Sequence, residues 1–416
     1  MFGKFFDKLN ISNKDFFVVF ILLVNAFAWF YMAPIIIDGI LEGIILTDTQ
    51  RIIMSERAGS AYYSGIAISS IIGLILAKKI GRLKFIYAWI AIGIATSLLP
   101  ILSSSFTLTD CFTISFFLGA SFGLGIPSCL SYFADVTQVE NRGRISGVIL
   151  LAANMAAPIL AIASVGGDLT TNLVVLAGWR SLGLIVFFLH PIEKNLSSER
   201  KFGGSFSGNT KYRTFGFYLL AWIMFCLVDR IGGPMVINSL GDVSDDIIVI
   251  SPILASITAL ISGILADWIG RKKIVLYGFI SLGIAYGIIG IIPDYPLVRY
   301  FFAVINGITA GLLSVTFILI LWGDISQTGS REIFYTIGVI PLFLTETMTL
   351  ALDEYLIQIQ ASIFSVAAFF LFLAVLPLLY APETLPEKKI ELRRLRKFAD
   401  EAKRVKEKYE RKMIKS

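Results

Sequence analysis

Four charged side chains stand inside stretches that are otherwise apolar: Arg180, Asp229, Arg230 and Glu346. A charge held in hydrocarbon is costly, so such residues mark proton, ion or solute pathways, or else pair with one another. Burial raises a carboxyl pKa and a neighbouring arginine lowers it, so a carboxyl whose surroundings change between two conformations can load and release a proton. Asp229 and Glu346 are the proton-coupling candidates. They lie 15 and 13 residues past Thr214 and Ile333, about 22 and 20 Å along a helix. Arg180 lies ten residues before His190, about 15 Å from that helix end. Arg180 and Arg230 suit an anionic or zwitterionic solute, and Arg180 equally suits pairing with Asp229 or Glu346. Beyond Arg230, Gly232-Gly233-Pro234 predicts a helix break.

Other chemistry finds no support in the residue patterns. There is no glycine-rich phosphate loop, no zinc-ligand spacing and no nucleophile with a base, so no catalytic residue, metal or cofactor is expected. Cys111, Cys129 and Cys226 fall in or at the ends of apolar runs, where a thiol acts as a small hydrophobe. The single histidine, His190, reads as a helix-end residue.

The elements that carry these charges are membrane spans. Apolar residues make up 56% of the 416, charged residues 16%, and the mean hydropathy is +0.78, which excludes an ordinary soluble domain. Runs long enough for a hydrocarbon core of about 30 Å fall at 16–37, 59–77, 85–103, 110–133, 145–164 and 171–190. They recur at 214–236, 247–266, 274–292, 297–322, 333–352 and 359–380. The reading is an all-α integral membrane protein of twelve transmembrane helices. Lysine is absent from 85–193 and from 274–387, while the opposite loops carry Asp38, Glu42, Asp48, Glu56, Asp168, Asp242, Asp245, Asp246 and Asp294. The positive-inside rule then puts both termini in the cytoplasm. The run 16–24 followed by Ala26-Phe27-Ala28 has the form of a secretory leader. Its removal would leave eleven spans and put the basic loops out of register.

The predicted organisation is a cytoplasmic N-terminus (1–15), a six-helix bundle (16–192), a linker (193–213), a second six-helix bundle (214–382) and a basic cytoplasmic tail (383–416). The tail holds 13 basic and 7 acidic residues, which accounts for the whole net charge of +6. The charge therefore argues for no nucleic-acid partner. As a helix, the tail could lie on anionic lipid or pair with another helix.

The two halves repeat. An offset of 189 residues aligns 72–84 (IGLILAKKIGRLK) with 261–273 (ISGILADWIGRKK), identical at eight of thirteen positions. The same offset superimposes Asp135, Gln138 and Arg142 on Asp324, Gln327 and Arg331. Charged loops thus recur after the second and fourth helix of each half. Electrostatics at the membrane edge would let Asp267 pair with Arg271, one helical turn on, or with Arg331.

On these residues the chain resembles the major facilitator superfamily of secondary transporters, over nearly all its length except the tail. The segment GILADWIGRKK is similar to that family's signature loop, with Gly263, Asp267, Gly270, Arg271 and Lys273 matching. The first copy keeps Gly81, Arg82 and Lys84 but has Lys78 in the register of Asp267. The resemblance implies two pseudo-symmetric six-helix bundles around a central cavity that opens alternately to each side. It implies that Asp267 latches its loop in the outward-facing state, so the latch is expected to rest more on the second copy. Its cavity helices, the first, fourth, seventh and tenth, point to Asn25, Trp29, Ser121, Ser128, Asp229 and Asn306 as solute contacts. If the sixth span is short, Arg180 moves toward the outer surface.

The expectation is a multi-pass protein of the cytoplasmic membrane, not an enzyme, moving a small organic solute by alternating access, coupled to protons and working as a monomer. A metabolite or drug exporter and a facilitative carrier fit the same features. So does a transporter-like sensor or scaffold whose tail binds a partner.

Overall fold

A computed structural model describes residues 13–103, 105–164, 168–189, 209–240, 244–293, 295–327, 329–356 and 362–386. Among these residues the chain is helical throughout. The first half comprises α1 (Asn13–Glu42), α2 (Asp48–Ile80), α3 (Arg82–Leu98, continued by a 3-10 turn Leu99–Leu102), α4 (Leu108–Val136), α5 (Arg142–Ser164) and α6 (Leu169–Leu189). The second comprises α7 (Asn209–Leu240), α8 (Ser244–Ile269) and α9 (Arg271–Ile291). It continues with α10 (Pro296–Ser314, then a π-helical turn Val315–Ile320 and Leu321–Ile325), α11 (Arg331–Leu356) and α12 (Ser362–Tyr380). Ten of these helices are long and apolar enough to cross a membrane; α6 and α12 are apolar helices of 21 and 19 residues.

The ends of the helices follow local chemistry. Thr47 opens α2 and Thr107 opens α4, each with a reciprocal bond to the third residue on, Gln50 or Asp110, which satisfies two otherwise unpartnered N–H groups. Asp168 opens α6, and the Thr171 amide and hydroxyl hold its carboxyl below the usual range. Two differences from expectation concern α7. It begins at Asn209, so the last five residues of the predicted linker are helical. It also runs unbroken through Gly232-Gly233-Pro234: a proline removes one N–H from a helix, and that loss alone does not end it. The remaining linker, His190 and the tail from residue 387 lie outside the described residues.

The bundles repeat one packing scheme. Within the first, α2 lies along α4, α3 along α6, and α1 against α5 and α6; within the second, α8 lies along α10, α9 along α12, and α7 against α11 and α12. The halves meet along α5 with α8 and α2 with α11, which are equivalent pairs under the repeat. The outward faces are apolar as well, as with Ile71 and Ile75 on α2 and Phe369, Leu373 and Leu376 on α12. Helices apolar on every side are stable when one face meets protein and the other lipid.

Candidate functional site

Between the bundles lies a cavity of about 230 Å³. Its wall takes Phe27, Phe30 and Tyr31 from α1, Tyr63 from α2, Phe122 and Ile126 from α4, and Trp222, Phe225, Asp229 and Arg230 from α7. Ser314, Phe317 and Ile318 come from α10, and Val339, Phe343 and Glu346 from α11. Phe317 and Ile318 sit in the π-helical turn of α10, a local widening that often marks functional sites. The charged part is a triad. Arg230 Nη1 lies 2.9 Å from Glu346 Oε2, and Arg230 Nε lies 3.3 Å from Asp229 Oδ2.

At the end of the bundles that carries the basic loops, a second set of charges ties the halves together. Asp135 accepts from Arg82 of its own half and from Arg331 of the other. Asp324 accepts from Arg271 of its own half, at 3.0 Å, and from Arg142 of the other. The two triads are equivalent under the 189-residue offset. The Ala134 carbonyl joins them, accepting from Arg142 Nη2 at 2.7 Å and Arg331 Nη1 at 2.9 Å. Arg142, Arg271, Arg331 and Asp324 are all 0% exposed, so their stabilisation depends on every partner being in place.

Asp267 works differently from its neighbours. It pairs with Arg271 at 3.0 Å and also accepts the backbone N–H groups of Gly143 at 3.0 Å and Arg144 at 2.9 Å. A carboxylate thus sits on the positive N-terminus of α5, a helix of the other bundle. The approach requires glycine on both sides. A Cβ on Gly263 would lie 2.2 Å from the Gly143 carbonyl oxygen, and one on Gly143 would lie 2.6 Å from Asp267 Oδ1. The alternative partner, Arg331, goes to Asp135 instead, because the pseudo-symmetry carries it to the opposite acid.

The first copy of the loop has its own acid after all. Lys78 is exposed, but Arg82 Nε lies 2.8 Å from Glu332 Oε1 on α11. Under the repeat, Glu332 is the counterpart of Gly143, so at the two equivalent interfaces the acid comes from opposite sides. The expected reliance on the second copy is corrected accordingly: both copies are tied across the bundles. Gly81 and Gly270 adopt φ of +89° and +107°, reserved in practice for glycine. At Gly270 a Cβ would also strike Glu383 Oε2 at 2.3 Å. Lys273 is exposed.

Glu383 escaped sequence reading. Its carboxylate accepts the Arg271 and Lys272 N–H groups at 2.9 and 3.2 Å, covering the N-terminus of α9. The available signal was an acid just past the last span at the basic end. Glu332, next to Arg331, was missed for want of a counterpart in the first half.

Most of the proposed solute contacts lie elsewhere. Asn25 is buried and bonds the Trp179 carbonyl, while Trp179 Nε1 donates to the Asn25 carbonyl at 3.1 Å. Trp29 donates to Ser97 Oγ at 2.9 Å. Ser121 Oγ donates to Leu118 O at 2.8 Å, and the Ser121 carbonyl accepts from Trp89. Ser128 is buried outside the wall, and Asn306 is half-buried outside it. Arg180 is corrected on both alternatives: it meets neither Asp229 nor Glu346 and does not reach the surface. It is 1% exposed inside the first bundle, 4.2 Å from the centre of the Trp89 ring and 3.3 Å from Asn25 Oδ1. The cavity gathers Asp229, Arg230 and Glu346 and leaves the other candidates out.

No protein-family model matches the sequence, and no curated protein matches it. Solved structures do match in shape. A proton:xylose symporter, XylE, aligns with a TM-score of 0.64 at 14% identity, over 89% of this chain and 96% of that one. The human organic anion transporter MFSD10 aligns at 0.66 and 14%, over 88% and 99%. A partially occluded inward-open form of XylE from E. coli aligns at 0.58 and 11%, over 89% and 98%. The chain has the major facilitator superfamily fold. Within that fold, the two tied triads close one end of the bundle interface, and the cavity lies between the halves.

Proposed function

We propose that this protein is a secondary transporter that moves a small organic solute through the central cavity by alternating access, with protons as the coupling ion. The observation that carries the reading is the pairing of two features. A cavity between the bundles holds ionisable groups, and the cross-bundle charges at one end can break only if the bundles part there. Each charge leaving the network gains water as it loses its partner, so the tied and parted arrangements can be close in free energy. The basic end is the cytoplasmic one on the positive-inside rule, with both termini on that side. One chain contains both bundles and the whole cavity, so the working unit is a monomer. The tail supplies a basic helix for anionic lipid.

Asp229 and Glu346 are the proton-carrying groups in this reading. Proteoliposomes holding a pH-sensitive dye, challenged in turn with organic cations, anions, amino acids and sugars, test it directly. A saturable pH change with one chemical class is the expected result, and Asp229→Asn or Glu346→Gln should abolish accumulation while leaving solute exchange. Proton-driven accumulation that persists in both variants would overturn the coupling assignment. Silence across the panel from folded protein would favour a carrier without protons or a sensor.

A further inference from the structure

Resting on the reading of the central cavity as a solute path, we infer that its solute is a small organic cation with an aromatic or apolar body. The argument begins with the charges in the wall. Two carboxylates, Asp229 and Glu346, face one guanidinium, Arg230. Arg230 is engaged by both, at 3.3 and 2.9 Å, so its charge is answered and one carboxylate charge is left over. An anion entering here would meet a wall of net negative charge and would have to displace a carboxylate from Arg230. Arg180, which could have reversed the balance, is shut inside the first bundle.

The remaining wall also favours a cation. Phe30 and Phe122, with ring centres 4.8 Å apart, come from the first bundle, and Trp222 and Phe317, 4.6 Å apart, come from the second. Trp222 donates its Nε1–H to the Gly338 carbonyl at 2.8 Å, so its polar edge is committed and its ring is what it can offer. Ring faces attract a cation, most strongly where water is excluded. Hydroxyl-rich solutes fit less well. The uncharged polar side chains in the wall are few, Tyr31, Tyr63 and Ser314, and a solute hydroxyl left unpaired in an apolar site costs the desolvation of that group.

An isosteric series tests the inference on the full-length wild-type protein in lipid nanodiscs by equilibrium binding. The probes are phenyltrimethylammonium, its uncharged carbon isostere tert-butylbenzene, and benzoate. The cation should bind about tenfold or more tightly than the isostere, benzoate should show no saturable binding, and Asp229→Asn and Glu346→Gln should each weaken the cation. Equal binding of cation and isostere, tighter binding of benzoate, or no saturable binding of any probe to monodisperse protein would overturn it. The wild-type comparison stands even if a variant fails to fold. Counterflow of the labelled cation in proteoliposomes separates the two readings. Binding without counterflow removes the transport reading and leaves the cation site, whereas counterflow of benzoate alone leaves transport and removes the cation inference.

Discussion

At the scale of single residues, the most exacting position is Asp324, which holds one arginine from each bundle with no water at hand. Replacing it by asparagine leaves Arg142 and Arg271 buried and undercharged, at a cost of about 3–5 kcal/mol to the tied arrangement. Asp324→Asn should therefore lower the melting temperature of the tied form and populate the form parted at the basic end, read by spin-label distances. Glu332 supplies the acid that the first loop lacks. Glu332→Gln should loosen the same end, and Lys78→Asp added to it should recover part of the loss, measured as a shift in the same distances. If Lys78→Asp is silent in that background, the two positions do not share a task. The members of the network were legible before any coordinates, because two loops repeat Asp135, Arg142 and Arg82 as Asp324, Arg331 and Arg271. Their partners were not. Arg331 and Asp135 are separated by 196 residues along the chain, and no local spacing connects them.

At the scale of helices, α5 and α8 approach through Gly143 and Gly263, and this contact lets Asp267 reach the end of α5. Gly143→Ala places a methyl 2.4 Å from the Gly263 carbonyl oxygen, so the helices must move apart, at about 1–3 kcal/mol. The expected outcome is reduced thermal stability together with easier labelling of an Asp267→Cys thiol at the basic end. Unchanged labelling would mean the contact is not what seals this end. The helices themselves were readable from hydropathy, including α1, α4, α7 and α10 as cavity helices, but the side facing the cavity was not. Asn25 and Trp29 are four residues apart and share a face of α1 that packs inside the first bundle, while Phe27, Phe30 and Tyr31 turn to the cavity. When lipid, neighbour and cavity all receive apolar side chains, hydropathy no longer distinguishes the faces. The same difficulty hid Arg180, whose partners are tryptophan rings and an amide in place of a carboxylate.

At the scale of the whole molecule, the packing scheme of one bundle is repeated in the other, and the cross-bundle contacts form two equivalent pairs. A structure built this way can rock about its centre, because the contacts made at one end are independent of those at the other. The most direct test uses spin labels at two ends of the same protein. The native thiols Cys111, Cys129 and Cys226 are buried, so labels at introduced cysteines report on the chosen sites. Lys84→Cys with Lys273→Cys spans the bundles at the basic end, and Ile45→Cys with Tyr295→Cys spans them at the opposite end, all four positions being exposed. In wild-type protein in nanodiscs, the account predicts a short distance at the basic end, with Asp324→Asn lengthening it and shortening the distance at the opposite end. Distances that stay fixed at both ends, or that lengthen together, would contradict alternating access in this protein.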